Sequence, residues 1–162
     1  MGSSDLIFRP AQAADLPQLV AMLADDPLGT ARECLSEPLP QAYAAAFSAI
    51  EDDPNNELTA AWCDDRIVAM LQLTFIPYLT HQGSWRALIE GVRVHKDYRS
   101  HGIGKSLLSW AIERARQRNC GIVQLTTDKA RPDALRFYRQ LGFQASHEGM
   151  KLHLDGAPTE QR

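Results

Sequence analysis

The sequence predicts a single α/β domain with a mixed, mostly antiparallel sheet of about seven strands flanked by helices. Short runs of β-branched and apolar residues alternate along the chain with stretches of helical periodicity. Clusters of Gly, Pro, Asn and Asp separate these segments, and no repeat or low-complexity segment interrupts their order. With 162 residues and 44% hydrophobic content, the chain is large enough to bury one core.

The N-terminal half predicts a strand, two helices and three further strands. Pro17 lies in the first turn of the first helix, a position that proline favours, and Asp53-Pro54 ends the second helix. Residues 64–66 form the turn of a hairpin. The predicted bounds are strands at 6–9, 58–63, 67–76 and 86–94, helices at 15–24 and 43–52, and a turn at 25–29.

The C-terminal half predicts helices that alternate with strands. Apolar residues at positions 107, 108, 111, 112 and 115 repeat at helical spacing, and Pro132 and Asp133 mark the start of a further helix. Gly142 occupies the position that follows a helix C-terminus. The predicted bounds are helices at 106–118 and 132–141 and strands at 122–127, 143–146 and 149–154, with the domain at 1–155 and a flexible tail at 156–162.

Composition and charge exclude several classes of function. The net charge of −3 argues against nucleic acid as a partner, and no apolar run approaches the ~20 residues that span a bilayer. Three cysteines without C-x-x-C spacing, and an N-terminus unlike a signal peptide, favour a reduced, cytoplasmic protein. His147-Glu148 begins like the metal motif H-E-x-x-H, but Lys151 replaces its second histidine, so we expect no metal site.

A glycine loop between a predicted strand and a predicted helix forms a candidate anion site. The loop contains Arg99, Gly102, Gly104 and Lys105. Backbone N–H groups at a helix N-terminus have no intrahelical partner, and the helix dipole favours negative charge there. The pattern therefore predicts a phosphate-binding loop, with an ordinary strand-to-helix turn as the alternative.

Three phosphate-binding patterns can be compared with this loop. A P-loop requires a glycine where this chain has Arg99, and a dinucleotide-binding loop requires one where it has Leu107. The pattern [RQ]-x-x-G-x-[GA] fits at Arg99, Gly102 and Gly104. In this loop the chain resembles the GNAT superfamily of N-acetyltransferases, where the same pattern binds the pyrophosphate of acetyl-CoA.

A second signature of that family, A-x-x-[FL]-Y-x-x-x-G-[FY], is matched by Ala134, Phe137, Tyr138, Gly142 and Phe143. The resemblance implies an acyl-CoA N-acyltransferase fold. It also implies an acyltransferase that moves the acetyl group from acetyl-CoA directly to a primary amine of a small molecule in a ternary complex. Acetylation of a protein amine, a catalytically silent acyl-CoA sensor and a P-loop-like nucleotide-binding protein remain as alternatives.

The resemblance further implies which residues hold acetyl-CoA. The family separates the strand that contains Val92 and Val94 from its neighbour, and the pantetheine arm pairs with the exposed backbone. Gly91 inside this strand predicts a bulge or a close backbone approach. A backbone N–H near Val92 or Arg93 is the expected oxyanion donor. The expected coenzyme-binding residues are Val92, Arg93, Val94, Arg99, Ser100, His101, Gly102, Ile103, Gly104, Lys105, Ser106 and Arg131.

Two of these residues depart from the family pattern. Arg131 stands where asparagine is frequent, and an arginine there either contacts the coenzyme phosphates or faces solvent. Ser100 stands where glycine is common, which is tolerable if its φ stays negative.

Two residues are expected to carry the chemistry. By resemblance, Tyr138 is the general acid that protonates the departing thiolate, since a phenol with a pKa of about 10 stays protonated at neutral pH. Glu90 lies four residues before Val94, where several family members carry a catalytic glutamate, and is the candidate general base. The alternative interpretation of Glu90 is a solvated strand carboxylate or an ion-pair partner of Arg86.

Acceptor choice is expected to depend on residues 25–47 and 78–85. Four acidic side chains in the first range suit a cationic amine or form a solvated surface; they are Asp25, Asp26, Glu33 and Glu37. Residues 127–138 are similar to a segment of aminoalkylphosphonate acetyltransferases, which favours a small aminated metabolite as acceptor. An edge strand at 149–154 would allow two copies to pair as a homodimer.

Overall fold

The computed structural model describes residues 6–154, and the chain divides into two compact units between Leu125 and Thr126. The strands are β1 (Ile7–Pro10), β2 (Asn56–Cys63), β3 (Arg66–Pro77), β4 (Trp85–Val94) and β5 (Cys120–Leu125). The helices are α1 (Leu16–Ala24), α2 (Pro27–Thr30), α3 (Gln41–Asp52), the single turn α4 (Thr80–Gly83), α5 (Ile103–Gln117) and α6 (Pro132–Gln140). All of these elements except α6 belong to the first unit.

The first unit contains one sheet with the strand order β1-β2-β3-β4-β5. Strands β1 to β4 pair antiparallel, and β5 pairs parallel to β4. A parallel pair needs a long crossover, and α5 provides it. This helix packs on β3, β4 and β5, and its apolar positions Leu107, Leu108 and Ala111 are fully buried. A mixed, mostly antiparallel sheet with flanking helices confirms the predicted fold class.

Helices α1 and α3 cover a second part of the sheet. Leu19 and Met22 of α1 and Phe47 of α3 form a buried cluster with Ile67 and Met70 of β3. All five residues from 67 to 71 are buried, without the alternation of a strand that has one wet face. The central strand β3 is therefore covered on both faces, which explains its uninterrupted apolar sequence.

An ion pair connects the N-terminal end of β2 to α5. Arg114 Nη2 lies 2.6 Å from Glu57 Oε1, and Arg114 Nε donates to Glu57 Oε2 at 2.9 Å. The hydrogen bonds that Arg114 donates to the Glu57 carboxylate raise the pKa of the Arg114 guanidinium. Arg118 Nη1 approaches the same carboxylate at 3.7 Å. One half-buried carboxylate thus fixes the position of the C-terminal half of α5.

The second unit differs from the sequence prediction. The expectation of about seven strands is not confirmed, because residues 126–154 contain α6 but no strand. Met150, Leu152 and Leu154 alternate with polar residues as in a half-buried strand, yet each is at least 85% exposed. Alternation of apolar and polar residues was the basis for the strands predicted at 143–146 and 149–154. Within the described part of this unit, the apolar residues of that pattern have no buried face to pack against.

Three further expectations concern the limits of the domain and its assembly. The tail predicted at 156–162 lies outside the described residues. The single domain at 1–155 and pairing of two copies through 149–154 stay predictions. In the part of the chain that the structure describes, the helices are too short or too polar for any of them to cross a membrane.

Residues 25–29 were predicted as a turn, and the structure shows that α2 begins within them. Asp26 is the N-cap of this helix, and its carboxylate accepts a hydrogen bond from Gly29 N at 2.6 Å. Gly29 is buried against the end of α1. A Cβ atom on Gly29 would lie 2.0 Å from the carbonyl oxygen of Leu23, which is backbone and cannot rotate away.

Gly29→Ala should therefore destabilise the protein by about 2 kcal/mol or more, because α1 and α2 must separate to admit the methyl group. Denaturant unfolding followed by circular dichroism measures this loss. Gly149→Ala is the matched control, since its Cβ would meet only Thr126 Cγ2 at the ordinary distance of 3.9 Å. Equal stabilities of the two variants would contradict the close contact at Gly29.

Candidate functional site

A bulge interrupts β4 at Gly91. Met70 of β3 pairs with Arg93 and Gln72 pairs with Glu90, so only one β3 residue lies opposite Gly91 and Val92. Gly91 has a φ of +60°, which glycine adopts at little cost. The structure thus shows the bulge that Gly91 predicts. A bulged strand bends at this point, immediately after Glu90.

β4 continues beyond the strand that it pairs with. Pairing with β5 ends at Ile89 and Leu125, whereas β4 extends to Val94. His95 N donates to Val68 O of β3 at 2.8 Å. Successive strand residues direct their backbone groups to opposite sides. Val94, and with it Val92, therefore directs its N–H and C=O away from β3, to the side that β5 leaves open.

Arginine side chains contact these two backbone carbonyls. Arg93 Nη1 donates to Val92 O at 2.8 Å, and Arg99 Nε donates to Val94 O at 3.1 Å. Guanidinium groups are strong donors, and here they satisfy carbonyls that a neighbouring strand would otherwise bind. Both carbonyls thus accept hydrogen bonds from side chains on the side that β5 leaves open.

The glycine loop leads directly into α5. Gly102 is the N-cap residue with a φ of +81°, and no side chain caps the first turn. Ser106 N bonds to Gly102 O at 3.0 Å, so the N–H groups of Ile103, Gly104 and Lys105 precede the first intrahelical bond. The 15-residue helix adds its dipole to these donors. This arrangement is suited to a phosphate or another anion.

Ser100 does not keep the negative φ that was expected for it. Its φ is +65°, in the left-handed region that glycine occupies readily. Glycine would adopt this φ readily, whereas Ser100 adopts it at a conformational cost. His101 Nδ1 lies 2.7 Å from Arg99 O and closes the loop on itself.

Two arginines of this region hold the end of α1. Arg99 Nη2 lies 2.9 Å from Asp25 Oδ2 and donates to Asp25 O at 3.2 Å. Arg93 Nε lies 3.7 Å from Asp26 Oδ2. Two of the four acidic residues expected to attract a cationic amine are thus occupied by arginines of the chain itself.

Glu90 is exposed on a polar face of the sheet. It lies directly opposite Gln72, and Thr74 follows on the same face of β3. Asn56 Oδ1 accepts hydrogen bonds from Gln72 Nε2 at 3.1 Å and from Thr74 Oγ1 at 2.7 Å. Arg86 bonds to Gln124 and forms no ion pair with Glu90, so the ion-pair interpretation of Glu90 is wrong. The general base and the solvated strand carboxylate both stay predictions for this exposed residue.

Tyr138 and Arg131 belong to the second unit, where they lie on α6 and at its N-cap. The Tyr138 ring packs against Phe137 and edge-on against Phe143, with centroid distances of 5.4 and 5.9 Å. Gly142 ends the helix with a φ of +92°, and Phe143 N bonds back to Tyr138 O at 3.1 Å. The C′ position predicted for Gly142 is therefore confirmed.

One group of polar residues in the first unit was not predicted from the sequence. Arg86 Nη1 donates to Gln124 Oε1 at 3.1 Å, and the guanidinium lies over the ring of Tyr78 at 3.7 Å. Polar residues alternate with buried ones at 86 and 90 of β4, a signal that was visible in the sequence. The partner Gln124 was not, because it depends on the register of β5.

A cavity and the distribution of possible metal ligands also bear on the site. A cavity of about 480 Å³ is lined by β1, β2, α3 and α5, and none of the predicted site residues lines it. In the described part of the chain, no three His, Cys, Asp or Glu side chains converge as metal ligands would.

Comparison with known proteins places this geometry in context. A sequence model described as the acetyltransferase (GNAT) family matches residues 21–143. The aminoalkylphosphonate N-acetyltransferase of Salmonella typhimurium is 35% identical over 66% of this chain and 69% of its own length. The glucosamine 6-phosphate N-acetyltransferase of Trypanosoma brucei brucei is 36% identical over 55% of this chain and 58% of its own length.

A solved structure is similar over nearly the full length. The crystal structure of a transcriptional regulator from Bacillus halodurans C-125 superposes with a TM-score of 0.89 at 60% identity. The match covers 92% of this chain and 99% of that one.

The loop backbone allows a paired test of conformational cost. Ser100→Gly should raise the free energy of unfolding by up to about 1 kcal/mol, because it removes the left-handed strain of a side-chain-bearing residue. Gly102→Ala should lower it by about 1 kcal/mol for the same reason, since no atom lies within 4 Å of the added Cβ. Denaturant melts that show both variants shifting in the same direction would contradict the two loop conformations.

Proposed function

The chain belongs to the acetyltransferase (GNAT) family of acyltransferases, and from this premise we propose that it transfers the acetyl group of acetyl-CoA directly to a primary amine of a small molecule. The family uses acetyl-CoA as its cosubstrate. One observation carries the proposal for this chain: the bulged strand β4 separates from β5 beside the uncapped N-terminus of α5. A backbone cleft next to an anion-binding helix end matches a ligand that has amides and a pyrophosphate.

In the proposed complex, the pantetheine amides bind the backbone of Val92 and Val94. They replace Arg93 and Arg99 as donors to those carbonyls, which frees both guanidinium groups for the coenzyme phosphates. The pyrophosphate lies at the start of α5, where backbone N–H groups and the helix dipole favour it. The remaining contacts are proposed for Ser100, His101, Gly102, Ile103, Gly104, Lys105, Ser106 and Arg131.

The chemistry requires three proton transfers, two from the acceptor nitrogen and one to the sulfur of CoA, and one stabilised oxyanion. Glu90 accepts the proton of the ammonium group, directly or through water, and the neutral amine attacks the thioester carbonyl. The Val92 N–H, which faces the side that β5 leaves open, stabilises the oxyanion, a role worth about 2.7–4 kcal/mol in other enzymes, whereas the Arg93 N–H faces β3. The C–S bond then breaks, Tyr138 donates its proton to the thiolate of CoA, and the attacking nitrogen, which is positively charged after addition, loses its second proton to water. The protons taken by Glu90 and lost by Tyr138 exchange with solvent.

Direct transfer is favoured over a covalent cysteine intermediate. Burial raises the pKa of the Cys120 thiol, although Arg118 opposes this effect. A thiol with a raised pKa supplies less of the thiolate that would attack acetyl-CoA at neutral pH. In the proposed direct transfer both substrates occupy the site together, so initial-velocity plots should intersect rather than run parallel.

A primary amine with a phosphonate or phosphate group is the acceptor that the relatives favour. The two related enzymes are named for an aminoalkylphosphonate and for glucosamine 6-phosphate. A catalytically silent acyl-CoA sensor is a second candidate, because the solved structure with 60% identity is that of a transcriptional regulator. The two candidates share coenzyme binding and differ in turnover.

Calorimetric titration with acetyl-CoA, with ATP and NAD for comparison, tests the proposal first. Release of free CoA thiol is then followed over a panel of amines that includes aminoalkylphosphonates. Micromolar acetyl-CoA binding together with amine-dependent thiol release supports the enzyme. Coenzyme binding without any turnover supports the sensor, and binding of ATP or NAD instead of acetyl-CoA overturns both.

Loss of the Tyr138 hydroxyl should affect chemistry and leave coenzyme binding intact. Tyr138→Phe is expected to lower kcat by roughly 10²–10⁴-fold, because the thiolate then leaves without a positioned proton donor. Calorimetry should give the same acetyl-CoA affinity as for the wild type. Tyr98→Phe, which removes a hydroxyl from a ring packed edge-on against His95, is the matched control. A near-wild-type rate for Tyr138→Phe would retire this assignment.

A further inference from the structure

Arg86 is a half-buried cation without a counter-ion among residues 6–154. Four arginines of the first unit are partly buried: Arg86, Arg93, Arg114 and Arg118. Three of them lie within 4 Å of a carboxylate, either Asp26 or Glu57. Among the residues that the structure describes, Arg86 has no such partner. Removing a charge from water is unfavourable unless an opposite charge compensates it.

Neutral groups nevertheless hold the Arg86 guanidinium in place. Its Cζ atom lies 3.7 Å from the centre of the Tyr78 ring, a cation–π contact. Nη1 donates to Gln124 Oε1 at 3.1 Å. The Nε atom is buried and has no hydrogen-bond partner. An oriented cation with unused donors is the arrangement that binds a carboxylate or phosphate-like group.

Arg86 also shares a face of the sheet with Glu90. Ala87 and Ile89 are buried on one face of β4, so the alternating positions 86, 88 and 90 lie on the other. Four residues along a strand separate two Cα atoms by about 13 Å. One face of β4 thus presents a carboxylate beside the bulge and an uncompensated guanidinium further along.

We infer that Arg86, oriented by Tyr78 and Gln124, binds an anionic group on the acceptor while the acceptor amine lies toward Glu90. The ligand class is a short primary amine that carries a phosphonate, phosphate or carboxylate group. This inference rests on the proposed function and assigns the specificity of the same site. The planar fork of Arg86 suits two oxygens of one anionic group, whereas a lysine would provide only a point charge.

Acetyl-transfer kinetics with matched acceptors test the inference. The acceptors are 2-aminoethylphosphonate, O-phosphoethanolamine, β-alanine and the uncharged propylamine. Arg86→Gln should lower kcat/KM for the preferred anionic amine by about 10- to 100-fold, mainly through KM, and leave propylamine and the KM of acetyl-CoA unchanged. Arg86→Lys should fall between the wild type and Arg86→Gln, because it keeps the charge and loses the fork. An equal loss for all four amines, or no loss for any anionic one, would overturn the subsite.

Arg9→Gln is the matched control, since Arg9 also stacks on an aromatic ring, that of Trp62 at 3.8 Å, and lies at the other end of the sheet. It should leave the kinetics for all four acceptors unchanged. Denaturant melts of the Arg86 variants check that the sheet is intact.

A binding measurement separates failure of the subsite from failure of the proposed function. Ethylphosphonate has the anionic group but no amine, so its binding to the full chain with CoA present can be followed by ³¹P NMR without any turnover. Binding to the wild type that Arg86→Gln weakens at least about tenfold supports the subsite even if every amine is inert. No binding to the wild type, or equal binding to both proteins, overturns it.

Discussion

The candidate site depends on β4 staying paired with β3 while it separates from β5. Antiparallel pairing with β3 continues to Val94, whereas parallel pairing with β5 ends at Ile89. The extra residue at the Gly91 bulge changes the course of β4 immediately beyond that point. Only a residue that tolerates positive φ can occupy position 91 without strain, so one glycine determines where backbone groups become available to a ligand.

The same region is tied to the N-terminal helices by charge. Arg99 contacts both Asp25 and Val94 O, so one guanidinium links the end of α1 to the open end of β4. A coenzyme that displaces Arg99 from Val94 O would also act on Asp25 and on the residues between α1 and α2. The glycine loop and the segment expected to govern acceptor choice are therefore coupled in this structure by a short chain of polar contacts, most of them exposed and hence individually weak.

Local patterns predicted much of this fold and several of its glycine conformations. Periodicity located the helices and the hairpin, and glycine chemistry located the bulge at Gly91 and the helix end at Gly142, because each of these depends on neighbouring residues alone. The condition that Ser100 keeps a negative φ is not met, because the shape of the loop overrides the backbone preference of serine. The strands at 143–146 and 149–154 were not confirmed, because alternation predicts a face but not what covers it. The contact between Arg86 and Gln124 was not predicted, because it depends on the parallel register of β4 and β5 and joins residues 38 positions apart.

Arginine chemistry in this chain distinguishes structural positions from candidate binding positions. Arg114 is fully engaged by Glu57, which raises the pKa of Arg114 and fixes α5. Arg99 shares its donors between a carboxylate and two backbone carbonyls, so a polyanion can compete for it. Arg86 has neutral partners that orient it without compensating its charge. The three side chains are chemically identical, and it is the counter-charge supplied by the fold that differs. A bound anion is stabilised most where that counter-charge is absent, which is on the face of β4 that also carries Glu90.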